Sequence, residues 1–315
     1  MRNLSPAKVF SEDQLREAWD HVRKHSKAAG PDGFSPADFE RNDTHWLRKM
    51  RAELVRGDYL FGPLKLVMVP KSDGGTRWIG IPDVRDRIAG RALALALTDR
   101  VDRRFHASSF AYRPRRGVRE AVAKVTPRGG RDYVARFDIA KCFDTIAPET
   151  AVAALEPEEG WVRDMALQAV TVGMGRDGDF RRPRGIPQGS ALSPLLCNCV
   201  LDGLDRALAR LEPRYVRYAD DMAACCKSFE GAEAVMDEAR RVLAGLDMAL
   251  NERKCGVTTF QHGFRYLGTW FQGSFAFPQL EVVRDGRKVR VSGYEGDSEY
   301  AVADWGEDRR RTRWV

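Results

Sequence analysis

The stretch Tyr215-Val216-Arg217-Tyr218-Ala219-Asp220-Asp221-Met222-Ala223-Ala224-Cys225-Cys226 constrains this chain more than any other. Two adjacent carboxylates lie between short runs of β-forming and apolar residues, a pattern that spells strand, tight turn, strand. A hairpin tip holds both side chains rigidly and can present at least one of them to a cation outside the sheet. Most Asp-Asp pairs are merely solvated turns, so the pair needs company before it means chemistry. Phe137-Asp138-Ile139-Ala140-Lys141-Cys142-Phe143-Asp144 supplies a third carboxylate at the end of another strand. Three such oxygens make a hard donor set of the kind Mg²⁺ prefers.

Composition sets outer bounds. At 315 residues the chain can bury a substantial core, and two or three subdomains are expected. Lys and Arg outnumber Asp and Glu by 52 to 45, a formal +7 carried mostly by Arg. That balance suits a phosphate-rich partner such as nucleic acid, and equally an enzyme kept soluble by its charge. The six cysteines, at 142, 197, 199, 225, 226 and 255, show no C-x-x-C spacing, so a structural zinc site is not expected. Cys197, Cys199, Cys225 and Cys226 lie in apolar segments and read as small core residues. No N-terminal apolar stretch or membrane-length apolar run is present, which predicts a cytoplasmic protein without membrane attachment.

In chain order, residues 1–60 read as a polar helical segment. Ser11 is placed as a helix cap with Gln14 at its third position, and a second helix is expected over 43–56. The alternation of 63–71 and 76–82 about Asp73-Gly74-Gly75 predicts a hairpin flanked by Lys71 and Arg77. A long amphipathic helix follows over 86–104. Ser109-Phe110-Ala111-Tyr112-Arg113-Pro114-Arg115-Arg116-Gly117 packs arginines and aromatics into one loop, a composition suited to tracking a backbone and stacking bases. Further helices are expected over 118–125, 148–155, 161–171 and 229–246, a strand over 133–139, and a glycine-rich turn over 173–179. Arg184 to Pro194 is a loop, with Gly185 and Gly189 flanking Pro187-Gln188, that opens an apolar helix reaching about residue 210. Residues 264–271 read as one alternating strand, and 282–291 as a hairpin before an Arg-rich tail.

In this order the segments resemble the fingers and palm of a prokaryotic reverse transcriptase of the group II intron-like kind, over roughly residues 28–271. The resemblance is carried by Gly30-Pro31-Asp32-Gly33, the Lys71/Arg77 hairpin with Ile81-Pro82 and Asp86-Arg87, and Phe110-Ala111-Tyr112-Arg113-Pro114. It continues through the Asp138 box, Pro187-Gln188-Gly189, Tyr218-Ala219-Asp220-Asp221, Asn251 to Lys254, and Tyr266-Leu267-Gly268. It implies an α+β right-hand polymerase: an N-terminal helical segment (1–60), fingers (61–132), a palm with an antiparallel sheet (133–271), and a short hairpin with a basic tail (272–315). A thumb is then short or absent.

The resemblance also assigns roles. Asp138, Asp220 and Asp221, with the Ile139 carbonyl, would hold two Mg²⁺ ions. Lys71, Arg77 and Lys254 would contact the triphosphate of an incoming deoxynucleotide, Phe143 would exclude a 2′-hydroxyl, and Gln188 would pack near the nucleotide. Arg113 and Arg115 would lie near an RNA template paired with a primer or with DNA. Asp144 reads better as a local cap than as a ligand, Cys142 as structural, and none of the five histidines is placed as a base. The ordinary Gln188-Gly189 loop differs from that of diversity-generating enzymes. No Val-Thr-Gly of the retron kind and no maturase or endonuclease module is seen. The short end predicts a clamp supplied by a partner protein or structured RNA, as in an anti-phage or CRISPR-associated assembly, or else a truncated chain. Template-free or protein-primed DNA synthesis is a second reading. A non-catalytic nucleic-acid scaffold is a third, opposed by the presence of all three carboxylates.

Overall fold

A computed structural model of the protein describes residues 4–70, 76–173, 184–284 and 287–292. Helices α1 (Pro6–Val9), α2 (Glu12–His25), α3 (Pro36–Glu40) and α4 (Asp43–Arg56) precede a hairpin of β1 (Lys65–Pro70) and β2 (Thr76–Ile81). Then come α5 (Val84–Asp102), α6 (Val118–Lys124), β3 (Tyr133–Asp138), α7 (Cys142–Thr145), α8 (Pro148–Ala153), α9 (Gly160–Thr171) and α10 (Ser193–Leu211). The chain continues with β4 (Tyr215–Tyr218), β5 (Asp221–Cys226), α11 (Phe229–Ala244), a 3₁₀ turn (Glu252–Lys254) and β6 (Gly256–Thr259). It closes with β7 (Phe264–Tyr266), β8 (Thr269–Gln272), β9 (Phe275–Arg284) and β10 (Arg287–Ser292). The tip of the first hairpin, the glycine-rich 174–179 stretch and the tail from 293 lie outside the described residues.

Packing divides the chain into two units. One comprises Met1–Phe105, Lys141–Asp202 and Leu246–Met248; the other comprises His106–Ala140, Gly203–Gly245 and Ala249–Val315.

The first unit is largely helical. Ser11 caps α2 as its sequence predicts, its hydroxyl accepting from the Gln14 amide at 3.3 Å. Leu15, Ala18, Trp19 and Val22 form the apolar stripe of α2, which packs on α5 and α4. Trp19 is fully buried, lies 4.6 Å from the Phe39 ring and donates its indole N–H to Asp43 at 3.1 Å, so its one polar atom is satisfied. The short α3 begins with a capping box: the Asp38 amide donates to the Ser35 hydroxyl and the Ser35 amide to the Asp38 carboxylate. Ser35-Pro36-Ala37-Asp38 carries that signal in four residues. The α5 helix buries Ile88, Ala92, Leu93, Leu97 and Val101 completely and is central to the unit. Antiparallel β1–β2 pairs Lys65 with Ile81 through to Pro70 with Thr76.

The second unit is built on a four-stranded antiparallel sheet of order β4-β5-β3-β6. β3, with neighbours on both sides, is buried along most of its length, and α11 packs across β3, β5 and β6. The opposite face carries a cluster that includes Phe110, Val134, Val216, Cys225, Phe264, Tyr266 and Phe271. A second sheet of order β10-β9-β8-β7 follows. Its first two strands correct the single strand expected over 264–271: the chain reverses at Leu267-Gly268, both at positive φ (48° and 74°), and Phe264 pairs with Phe271. Two positive φ angles make a tight hairpin turn of the primed kind.

Among the described residues no helix is long and apolar enough to cross a membrane.

Candidate functional site

In the second unit, backbone register gathers the carboxylates. Asp138 ends β3 and Asp221 begins β5, and the two are directly opposed across the β3–β5 pair. Between β4 and β5 the chain turns through Ala219 (φ 56°) and Asp220, and the Asp220 carbonyl accepts from the Ile139 amide at 3.1 Å. The tip is thereby tied to the strand that carries Asp138. Asp138 is itself fixed: its carbonyl accepts from the Asn251 amide at 2.7 Å, and its carboxylate receives the Lys254 ammonium at 3.0 Å and the Asn251 side chain at 3.4 Å. Tyr266, fully buried, donates its hydroxyl to the Asp221 carbonyl at 3.3 Å.

Electrostatics follow from this crowding. Burial, opposed by Arg136 and reinforced by the charges of Asp138 and Asp220, pushes the Asp221 carboxyl up to about 7. Partial burial works to lower Lys254, yet its hydrogen bond to Asp138 and the three carboxylate charges hold it above the ordinary lysine value. Among the described residues no three acidic, histidine or cysteine side chains form a ready-made cation site. The Lys254 ammonium sits on Asp138 instead. The donor set nonetheless fits a hard dication in kind, being all carboxylate oxygen with a backbone carbonyl adjacent, and concentrated negative charge of this sort is relieved by such an ion.

The arginine loop lies beside the same hairpin. Ser109 bridges Arg217 in parallel fashion, and the Phe110 amide donates to the Arg217 carbonyl at 3.0 Å, so the loop extends the sheet at β4. Here the structure corrects one expectation. Arg113 is turned inward, only 9% exposed, with its guanidinium donating to the His106 and Ser109 carbonyls at 2.7 and 2.9 Å. It shapes the loop. Arg115 and Tyr112 are the exposed residues, both at positive φ.

In the first unit, the 184–192 loop touches two elements that carry other expected residues. The Ile186 amide donates to the Phe143 carbonyl at 2.8 Å, and the Gln188 carbonyl accepts from the Gly80 amide of β2 at 2.8 Å. Ser193, at the start of α10, returns its hydroxyl to the Pro187 carbonyl at 2.8 Å. Gly189 has φ 120° and lies so close to β2 that a Cβ there would stand 2.2 Å from the Gly80 carbonyl oxygen. Half-buried Phe143 and Gln188 are thus linked through one loop to β2, where Arg77 is exposed. Lys71 lies outside the described residues. Asp144 takes part in the turn that opens α7, its amide donating to the Lys141 carbonyl at 2.8 Å.

Two groups stand out that the sequence did not announce. Arg184 donates to the Thr145, Leu246 and Asp247 carbonyls, lashing the loop entrance to two distant stretches. Arg217 and Asp205 form a completely buried ion pair behind the carboxylate hairpin. A charged residue at an inward position of the Tyr215–Tyr218 strand was the only local hint of it.

Residues 69–271 match the family described as reverse transcriptase (RNA-dependent DNA polymerase). The chain is 31% identical over 290 residues to protein YkfC of Escherichia coli K12, covering 78% of this chain and 76% of that one. It is 26% identical over 179 residues to the group II intron-encoded protein LtrA of Lactococcus lactis, covering 54% of this chain but 29% of the relative. The fold is similar to that of telomerase from Candida albicans, with a TM-score of 0.52 at 14% identity over 76% of this chain and 49% of the telomerase. With a palm sheet whose register opposes Asp138 and Asp221 and a family match over most of its length, the chain belongs to the reverse transcriptase (RNA-dependent DNA polymerase) family as a group II intron-like RNA-directed DNA polymerase.

Proposed function

We propose that the chain extends a primer on an RNA template with deoxynucleotides, using Asp138, Asp220 and Asp221 as its catalytic carboxylates. The observation that carries this is the register that opposes Asp138 to Asp221 and ties the Asp220 carbonyl to the Ile139 amide. These three side chains and the Ile139 carbonyl would hold two Mg²⁺ ions. Bound there, the ions would activate the primer 3′-hydroxyl and stabilise charge on the phosphoryl group in transfer.

The remaining roles belong to the chain. Lys254, paired with Asp138, would contact a triphosphate oxygen of the incoming nucleotide. Arg77 on β2, together with Lys71, would grip the triphosphate, and Gln188 would pack beside the nucleotide. Phe143 would fill the space a 2′-hydroxyl needs. Arg115, exposed beside Tyr112, is the stronger candidate for the template backbone now that Arg113 is accounted for internally. We assign residues 61–132 to fingers and 133–271 to palm. The chain would work within a larger assembly, of the anti-phage or CRISPR-associated kind, where a partner protein or structured RNA would grip the duplex.

Primer extension on an RNA template with Mg²⁺ and deoxynucleotides tests the reading, beside Asp220→Asn/Asp221→Asn. Extension by the wild type that vanishes in the variant is expected. Extension that persists in the variant would sink the assignment, and product formed without template would favour template-free or protein-primed synthesis.

A further inference from the structure

The β4 strand carries a residue that the chemistry above leaves unused. Arg217 and its partner Asp205 are both wholly buried, with Nε to Oδ1 at 2.7 Å and Nη2 to Oδ2 at 2.6 Å, a bidentate pair. The same guanidinium donates from Nη1 to the Ala219 carbonyl at 3.1 Å and from Nη2 to the Ser109 hydroxyl at 3.0 Å. Tyr215 adds its hydroxyl to Asp205 at 3.1 Å. The strand's pleat explains the geometry. Tyr218 opposes Asp221 and Arg217 opposes Met222, so successive residues point to opposite faces and Arg217 approaches the tip from behind the carboxylates.

The contact with Ala219 is the one in this network that matters. Ala219 is a non-glycine residue at φ 56°, a left-handed conformation that an L side chain adopts at a cost, and it immediately precedes Asp220. Its backbone sets the direction in which both tip carboxylates leave the sheet. A buried ion pair is poor evidence for stability, because apolar residues of similar size often serve as well. What such a pair offers uniquely here is a rigid, fully desolvated donor aimed at one carbonyl of a strained turn.

Building on the polymerase reading, we infer that Arg217 is a positioning residue: anchored by Asp205 and Ser109, it locks the Ala219 carbonyl and so holds Asp220 and Asp221 ready to bind a divalent cation. Removing the anchor should leave the sheet and the nucleotide contacts intact while loosening the tip.

The test uses the full chain. Asp205→Asn/Arg217→Met removes both buried charges together and leaves no unpaired ion, and the side-chain amide introduced at position 205 can still accept from Tyr215. Four readouts are taken: circular dichroism, amide exchange of the 218–222 peptide, Mn²⁺ binding by calorimetry with Asp220→Asn/Asp221→Asn as the blank, and the kcat and KM of primer extension. The double variant is expected to fold, its tip to exchange faster and Mn²⁺ to bind roughly 10-fold or more weakly. Its kcat should fall about 10–100-fold with KM for deoxynucleotide unchanged, the range for losing a group that orients ligands. Arg217→Lys, which keeps a cation for Asp205 but lacks the fork, should fall between wild type and the double variant, and it carries the test alone if the double variant does not fold. A folded variant with wild-type tip exchange and Mn²⁺ affinity overturns the proposal. If the wild-type chain alone extends no primer, the kinetic readout falls away, and the exchange and Mn²⁺ measurements still decide the role of Arg217.

Discussion

Replacing Gly189 by alanine is the sharpest probe of how the Gln188 loop is built. The residue has φ 120°, where an L side chain is strained by roughly 1–3 kcal/mol. The new Cβ would also stand 2.2 Å from the Gly80 carbonyl oxygen, a backbone atom that cannot swing aside. Relief requires the loop to lift from β2, which breaks the Gly80 amide to Gln188 carbonyl bond at 2.8 Å. Losing that bond adds about 1 kcal/mol, so the total is roughly 2–4 kcal/mol. Gly268→Ala is the control: its φ is 74°, but nothing lies within 4 Å of where its methyl would stand, so only the conformational cost of about 1 kcal/mol remains. Urea unfolding of both variants gives the global cost, and hydrogen exchange of the 76–81 peptide gives the local one. Faster exchange in β2 and a larger loss of stability for Gly189→Ala are expected. Equal losses for the two glycines, with β2 exchange unchanged, would refute the close-approach argument.

Further outcomes follow from single side chains. Asp86 is 6% exposed, hydrogen-bonded by Tyr59 at 2.6 Å and the Gly62 amide at 2.9 Å, and burial raises its carboxyl to about 6. A raised folded-state value favours folding at low pH, and that contribution is lost as pH rises from about 4 through about 6, so ionised Asp86 costs up to about 3 kcal/mol at neutrality. Asp86→Asn should remove that pH dependence, seen as a stability difference from wild type that grows between pH 4 and 7; a constant difference would contradict it. Phe143→Val, if the ring excludes a 2′-hydroxyl, should raise the kcat/KM for ribonucleotides relative to deoxynucleotides by about tenfold or more, some 1.4 kcal/mol of lost discrimination. Unchanged discrimination would move the gate elsewhere.

What could be read from the sequence was local. The 215–226 hairpin was legible because short runs of β-forming and apolar residues and a turn lie within twelve consecutive residues, and the Ser11 cap because its partner is three residues away. The 264–271 reversal was not, because Leu267 occupies a positive φ and leucine carries no turn signal; Gly268 alone reads as an ordinary strand glycine. Composition suited the 109–117 loop to a nucleic-acid surface but could not say which arginine faces out, and Arg113 turns in to donate to the His106 and Ser109 carbonyls. The Arg217–Asp205 pair joins residues on a strand and a helix, a relation that only the folded sheet creates.

The position of β3 has a consequence for synthesis. The strand carrying Asp138 is central in the sheet, yet both of its neighbours, β5 at 221–226 and β6 at 256–259, come later in the chain. At roughly 5–20 residues per second, a ribosome leaves β3 without its first partner for about 4–18 s. Throughout that interval the strand Tyr133 to Asp138, with Val134, Ala135 and Phe137 unburied, offers two open hydrogen-bonding edges to any other nascent strand nearby. The same placement that buries the strand carrying Asp138 in the finished protein makes it the last part of its sheet to be sheltered, and ties the yield of folded chain to how quickly residues 139–226 are made.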